Sequence, residues 1–229
     1  MHSSERRKVW IIAALAFALT AGFSAPAAAE TVEETGLVDK SAITVRSFMA
    51  DSQMEWLQQH LKGAKAVLII PSLVKLGFVL GGSGGSGVLL VRDEKTGSWS
   101  QPAFYMIGSV TFGLQIGGEA AEVIMLIQNQ KALDQFYATE FKLGGDVSVA
   151  AGPVGAGAKS NIMADVLSFA KSKGLYAGLN LEGSIIKVSD SSNHAYYGRA
   201  VRPIDILVRN AVSNPGSAEL RQELANAVR

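Results

Sequence analysis

Ser83 lies in a run, LGFVLGGSGGSGVLLVR from Leu76 to Arg92, whose spacing fits two chemistries at once. Gly81, Ser83 and Gly85 satisfy G-x-S-x-G, the elbow on which a serine hydrolase presents its nucleophile. Gly82, Gly84 and Gly87 satisfy G-x-G-x-x-G, the turn that brings a helix N-terminus against a pyrophosphate. Both mechanisms need a helix directly after the glycines, but the next residues, Val88-Leu89-Leu90-Val91, have a strand pattern. A hydrolase also needs a base, and beyond residue 29 the chain offers only His60 and His194. A third near match, Gly152 to Ser160, has Ala158 where a phosphate-binding loop has the glycine before its lysine. With no cysteine and two unpaired histidines, nothing has the ligand spacing of a zinc site, and the acidic residues fall mostly in turns and helices without a cation loop. Glu182, embedded in a strand pattern, reads either as a functional group or, as the favoured alternative, as a rim residue with a basic partner. No catalytic set, metal or cofactor is assigned, and the expectation is a protein that is not an enzyme.

The first residues bear on compartment. Arg6, Arg7 and Lys8 precede the apolar run VWIIAALAFALTAGF, and Ala27-Ala28-Ala29 supplies the small residues of a cleavage site, so residues 1–29 read as a signal peptide for the general secretory route. The apolar run is shorter than a membrane span needs. Without cysteine there is no lipobox, and the expected location is the periplasm of a bacterium. Cleavage would leave 200 residues and, by removing Arg6, Arg7 and Lys8 with Glu5, take the formal net charge from +1 to −1. That length suits one domain, residues 30–229, and a near-neutral balance gives no general reason to bind nucleic acid.

The elements that would position these residues are read from periodicity. Val38, Ala42, Val45 and Met49 mark one helix; Met54, Leu57 and Leu61 mark a second, capped at Asp51 or Ser52 and stopped by Gly63. Residues 63–198 then read as mainly β. AVLIIP, FVL and GVLLVRD are strand signals around the glycine loop, and DEKTG is a turn leading into SWS. From Tyr105 to Gly117 and again over 174–186, apolar residues alternate with small ones, with a third small-residue run at DVSVAAGPVGAG. Glycine inside strands marks curvature, a bulge or close backbone approach. One short helix is expected over Gln130 to Ala138. Residues 199–229 turn helical again, with Pro203 opening one helix and Ser217 capping the last. The class is α+β: a curved antiparallel sheet, barrel-like or sandwiched, with N-terminal helices over 30–62 and a helical C-terminal tail.

The blocks AKAVLIIPSLVKLGFVLGGSGGSGVLLVR, GSWSQPAFYMIGSVTFGLQIGG, LGGDVSVAAGPVG, SKGLYAGLNLEGS and AYYG, in this order over residues 50 to 200, closely resemble the SYLF domain, also called the yeast actin-regulator or Las17-binding type domain. The resemblance implies a non-enzymatic lipid-binding module; eukaryotic members bind phosphoinositides and, in yeast, actin filaments. With an export signal and no accessory SH3 or FYVE domain in this sequence, the expected partner is an anionic phospholipid membrane rather than actin. A protein partner in the cell envelope is the alternative. The expected lipid site joins Lys62, Lys65 and Lys75 to the amphipathic residues Met54, Trp56 and Leu57. The amides of Gly82, Gly84 and Gly85 would form an anion-binding nest for a lipid phosphate, while valine at Gly82 or Gly87 is expected to damage folding, through backbone strain if those positions need φ > 0.

Overall fold

A computed structural model describes residues 25–77, 80–112, 117–155, 163–172, 175–176 and 179–228. Helix α1 (Ala25–Met49) leads, succeeded by a 3-10 turn at Ser52–Met54, helix α2 (Glu55–His60) and a second 3-10 turn at Leu61–Gly63. The Asp51 side chain caps the first turn by accepting from Gln53 N, in agreement with the cap expected there. Helix α1 begins five residues ahead of the expected cleavage point.

Strands β1 (Ala66–Gly77), β2 (Leu80–Val91), β3 (Ala103–Phe112) and β4 (Gly117–Ile127) are followed by α3 (Gln130–Gln135), β5 (Glu140–Lys142), β6 (Val149–Ala151), β7 (Val166–Ser172), β8 (Leu175–Tyr176) and β9 (Ile185–Val188). Helices α4 (Asp190–Tyr197), α5 (Pro203–Leu207) and α6 (Ala218–Ala227) close the described chain. All nine strands form one curled sheet in the order β5-β9-β3-β2-β1-β4-β7-β6, with β8 paired to β7. Every pairing is antiparallel except β6 with β7, so the sheet is mixed.

Because successive side chains leave a strand on opposite faces, the long apolar strands feed two cores. Leu68, Ile70, Leu89, Ala103, Tyr105 and Met125 belong to one, closed by Leu133 and Phe136 beside α3, Leu179, Leu181 and Ile206. Val67, Ile69, Val88, Leu90, Phe104 and Phe169 belong to the other, closed by Val38, Ala42, Val45 and Phe48 of α1, by Met54, Leu57 and Leu61, and by Leu220 and Leu224 of α6.

Three expectations change. The glycine run is no loop: residues 81–87 lie inside β2, and the β1–β2 connection falls at 78–79, outside the described residues. The stretch from Tyr105 to Gly117 contains the end of β3 and the first residue of β4, the connection at 113–116 again lying outside the described residues. The expected strand over 174–186 is interrupted, because Gly183 adopts φ +83° and the Asn180 side chain accepts from Glu182 N, which makes a turn. That turn shifts the alternation by one, so Ile186 is buried and Ile185 is 48% exposed. Glu182 accordingly lies in a turn and not in a strand.

Close backbone approach, not positive φ, explains Gly85 and Gly87 of β2. Strand β1 slips by one residue against β2 between Ile69 and Val74, at Pro71, where a missing amide hydrogen is tolerated. This bulge brings the β1 backbone so near β2 that a Cβ on Gly85 would stand 2.6 Å from Ser72 O, and one on Gly87 2.5 Å from Ile69 O. Neither Gly82 nor Gly87 is among the glycines of positive φ.

Candidate functional site

Helix α1 crosses the sheet instead of running along it. At its C-terminal end the buried Lys171 ammonium of β7 pairs with Asp51 at 2.9 Å, donates to Ser47 O and to Ser47 Oγ, and stands 5.3 Å from the Phe48 ring centroid. The pairing with Lys171 holds the Asp51 carboxyl below its ordinary range. One turn back, Thr44 Oγ1 donates to Glu122 Oε1 of β4 at 2.9 Å, and further on Glu34, Leu37 and Ser86 of β2 line one crevice. Ser86, Glu122 and Lys171 therefore mark the level to which α1 covers this face.

Beyond that level no helix of the described residues covers the face. The ladder places Ala120, Val74, Gly84, Gly108 and Ile185 side by side across β4, β1, β2, β3 and β9. The row nearer the helix joins Ser86, Met106 and Lys187; the row beyond joins Gly82 and Val110. Val110 is 74% exposed, and Val74, Met106 and Ile185 are each 40–48% exposed. Glycine at 82, 84 and 108 leaves nothing between them, and a groove of about 580 Å³ runs past Met106, Gly108, Val110, Ile185 and Lys187. Single exposed apolar residues are ordinary, whereas several on adjoining rows form a patch. Lys187 and Lys142, which registers with Ile185, border it, and among the described residues neither makes an ion pair.

The residues expected to form a lipid site are distributed differently. Met54 and Leu57 are fully buried in the core beneath α1, since their helical spacing faces Phe169 and Ile124 rather than solvent. Trp56 is half-buried, stacked on His60 at 3.7 Å and on Phe169 at 5.9 Å. Lys62 is exposed on the second 3-10 turn, and Lys65, just before β1, pairs with Glu94. Lys75 sits near the far end of β1, ten residues along a strand that rises ~3.3 Å per residue, so it does not share a surface with the other two. Gly82 and Gly84 are in extended ladder geometry between β1 and β3, and Gly85 between the bulge and β3. A nest needs successive amides converging in a turn, and a ladder aims them alternately to either side.

Ser83 donates to, or accepts from, Ser109 Oγ at 2.7 Å, and on its other side it registers opposite Lys75 of β1. His60 Nδ1 lies 2.8 Å from Trp56 O. Among the described residues no group of three His, Cys, Asp or Glu could hold a metal ion, and no helix is long and apolar enough to cross a membrane. Sequence reasoning passed over Val110, Met106 and Ile185 because alternation alone cannot tell which apolar face receives a covering layer. The available signal was the clustering of Gly82, Gly84 and Gly108 among them.

Fold and surface together give a curled sheet half-roofed by helices, whose other half, among the described residues, is uncovered, apolar and bordered by lysines. Residues 108–227, more than half of the chain, match the family described as Ysc84, Las17-binding protein actin regulator. The chain is 33% identical over 173 residues to SH3 domain-containing YSC84-like protein 1 of Rattus norvegicus, covering 73% of this chain and 50% of that protein. It is 35% identical to Protein YSC84 of Saccharomyces cerevisiae (69% and 36% covered) and 36% identical to that organism's LAS seventeen-binding protein 3 (69% and 37%). The chain belongs to the Ysc84/SYLF family. It spans half or less of the length of these relatives.

Proposed function

We propose that this protein is a non-enzymatic module that docks on membranes containing anionic phospholipid, using the uncovered end of its sheet, and that it does so after export to the periplasm. The observation that carries the reading is the patch of Val74, Met106, Val110 and Ile185 beside Lys142 and Lys187, which make no ion pair among the described residues. Apolar side chains of this kind gain roughly 1.5–3 kcal/mol each when fully withdrawn from water. A lysine near an anionic surface adds about 1 kcal/mol, fading within a Debye length of ~8 Å at physiological salt. Four partly exposed residues and Lys142, with the charge of Lys187 offset in part by Glu140 opposite it, therefore supply several kcal/mol, enough for reversible attachment against a mature net charge of −1. The leader at residues 1–29 supports the compartment.

Co-sedimentation with phosphatidylglycerol vesicles tests the site. Val110→Asp/Ile185→Asp should lose most binding at all salt concentrations. Lys142→Glu/Lys187→Glu should lose it chiefly at low salt, while Lys62→Glu/Lys65→Glu should bind as wild type. Wild-type binding by both folded pairs of patch variants would overturn the assignment. The family description names a protein, Las17, as what its members bind. In that second reading the same patch meets a protein of the cell envelope, and wild-type chain that ignores vesicles of every composition would favour it.

A further inference from the structure

Helix α1 carries a carboxylate into its buried face without a partner for it among the described residues. Glu34 stands four residues before Val38, on the stripe that Val38, Ala42 and Val45 press against the sheet, and like them it is buried, at 7% exposure. Its Oε2 meets no hydrogen-bond donor, and Glu34 makes no ion pair among the described residues. Buried charges in folded proteins are paired, so a lone carboxylate beneath a helix calls for an explanation.

A crevice of about 120 Å³ lies where α1, β2 and α4 meet, lined by Glu33, Glu34, Leu37, Lys40, Ser86 and Ser192. It occupies the interface that the stripe of α1 faces, so the carboxylate and the crevice are on one side of the helix. The terminal torsion of a glutamate is broad and nearly two-fold, which lets either oxygen turn to the opening without moving α1. Ser192 Oγ accepts from Ser189 Oγ at 2.9 Å and keeps a second lone pair. Lys40 is exposed and makes no ion pair with Glu34, being six residues on and about a third of a turn round the helix from it. With Glu33 and Glu34 against Lys40, the lining is negative on balance. The space is several times the ~30 Å³ of a water but below the ~300 Å³ at which ordinary small-ligand sites begin, so it suits one polar head and not a whole large molecule.

We propose that this crevice binds a primary ammonium group, whose three N–H donors are met by the Glu34 carboxylate and the Ser86 and Ser192 hydroxyls. Charge-assisted hydrogen bonds of this kind are the strong ones, and the carboxylate they reach is already desolvated by the fold. Two sources carry such a group, a soluble amine and the ethanolamine headgroup of a phospholipid. The lipid source rests on the membrane reading: Ser86 registers with Met106 at the margin of the apolar patch, which sets the crevice beside the docking surface.

The test follows the amide peaks of Glu34, Leu37 and Ser86 in ¹⁵N-labelled protein by nuclear magnetic resonance. Ethanolamine is titrated in, with choline, whose nitrogen has no hydrogen to donate, as control at the same ionic strength. The expected result is a saturable shift with ethanolamine and none with choline, and Glu34→Gln, which keeps the shape and removes the charge, should bind about tenfold more weakly or worse. Peaks that stay still, or that move alike with both amines, overturn the proposal, and the wild-type titration decides this even if Glu34→Gln does not fold. Co-sedimentation with phosphatidylglycerol vesicles diluted by phosphatidylethanolamine or by phosphatidylcholine then reads the source. Tighter wild-type binding to the ethanolamine vesicles, lost in Glu34→Gln, assigns the lipid, whereas equal binding beside a saturating ethanolamine titration assigns the soluble amine. Protein that sediments with neither refutes the membrane docking alone, since the ethanolamine titration still decides the crevice.

Discussion

Replacing Lys171 by methionine removes the ammonium that ties helix α1 to the sheet while keeping most of the side chain's length and apolar stem. Lys171 is 5% exposed, and the substitution deletes its ion pair with Asp51, its bonds to Ser47 O and Oγ and its approach to the Phe48 ring. Breaking a buried pair by removing one partner costs about 3–5 kcal/mol, because the other charge is stranded. Asp51 is only partly enclosed, its side chain 19% exposed, and it keeps the bond from Gln53 N, so it can recover some hydration. A loss of about 2–3 kcal/mol is expected, and at ~2–4 °C per kcal/mol for a domain of this size the melting temperature should fall by about 5–10 °C. The double variant Lys171→Met/Asp51→Asn removes the stranded charge and should recover at least ~1 kcal/mol of that loss. The pH dependence has a definite sign. Asp51's folded-state pKa is depressed by Lys171, so the contribution is complete above the unfolded value of ~3.9 and is lost as pH falls through the lower folded value. The stability gap between wild type and Lys171→Met should therefore be flat from neutral pH down to about 5 and close only in stronger acid. Urea denaturation at several pH values measures the loss, the recovery and the pH dependence, and a thermal melt measures the temperature shift. A single-variant loss below ~0.5 kcal/mol, or a double variant no better than the sum of the singles, would refute this coupling of helix to sheet.

The glycines of β2 should separate by position: Gly87→Ala, whose Cβ would lie 2.5 Å from Ile69 O, should destabilise by at least ~2 kcal/mol in chemical denaturation, whereas Gly84→Ala, with Ile107 O at 3.8 Å, should change stability by under ~0.5 kcal/mol. Ser83→Ala removes only the bond to Ser109 Oγ, and a loss of ~0.5–1.5 kcal/mol with vesicle binding unchanged is expected. N-terminal sequencing of the protein recovered from an exporting cell should begin at Glu30; a retained Met1 would reject the assigned leader.

Much of the architecture was written in local pattern. The spacing of Val38, Ala42 and Val45 yields the buried stripe of α1, Pro203 opens α5, and the turn after Asp93 returns the chain to Trp99, because capping, proline geometry and amphipathic period are properties of a few neighbouring residues. Mutually supporting blocks also carried the family. Chain pattern could not decide what lies over a strand. Whether Met54 and Leu57 face a membrane or Phe169, and whether Val110 is core or surface, depends on how far α1 reaches across the sheet, and that reach is fixed by Lys171, Asp51, Thr44 and Glu122, which meet from 78 or more residues apart. The same holds for the glycines: composition shows that β2 has little side chain, but only the one-residue slip of β1 at Pro71 shows that Gly85 and Gly87 are spaces kept for another strand's backbone. Lys62, Lys65 and Lys75 are close along the chain and separated in space because an extended strand runs between them, whereas Arg92 and Trp99 are brought face to face by a turn. Sequence determines which residues can be neighbours; the register of the sheet and the path of the covering helix decide which of them are.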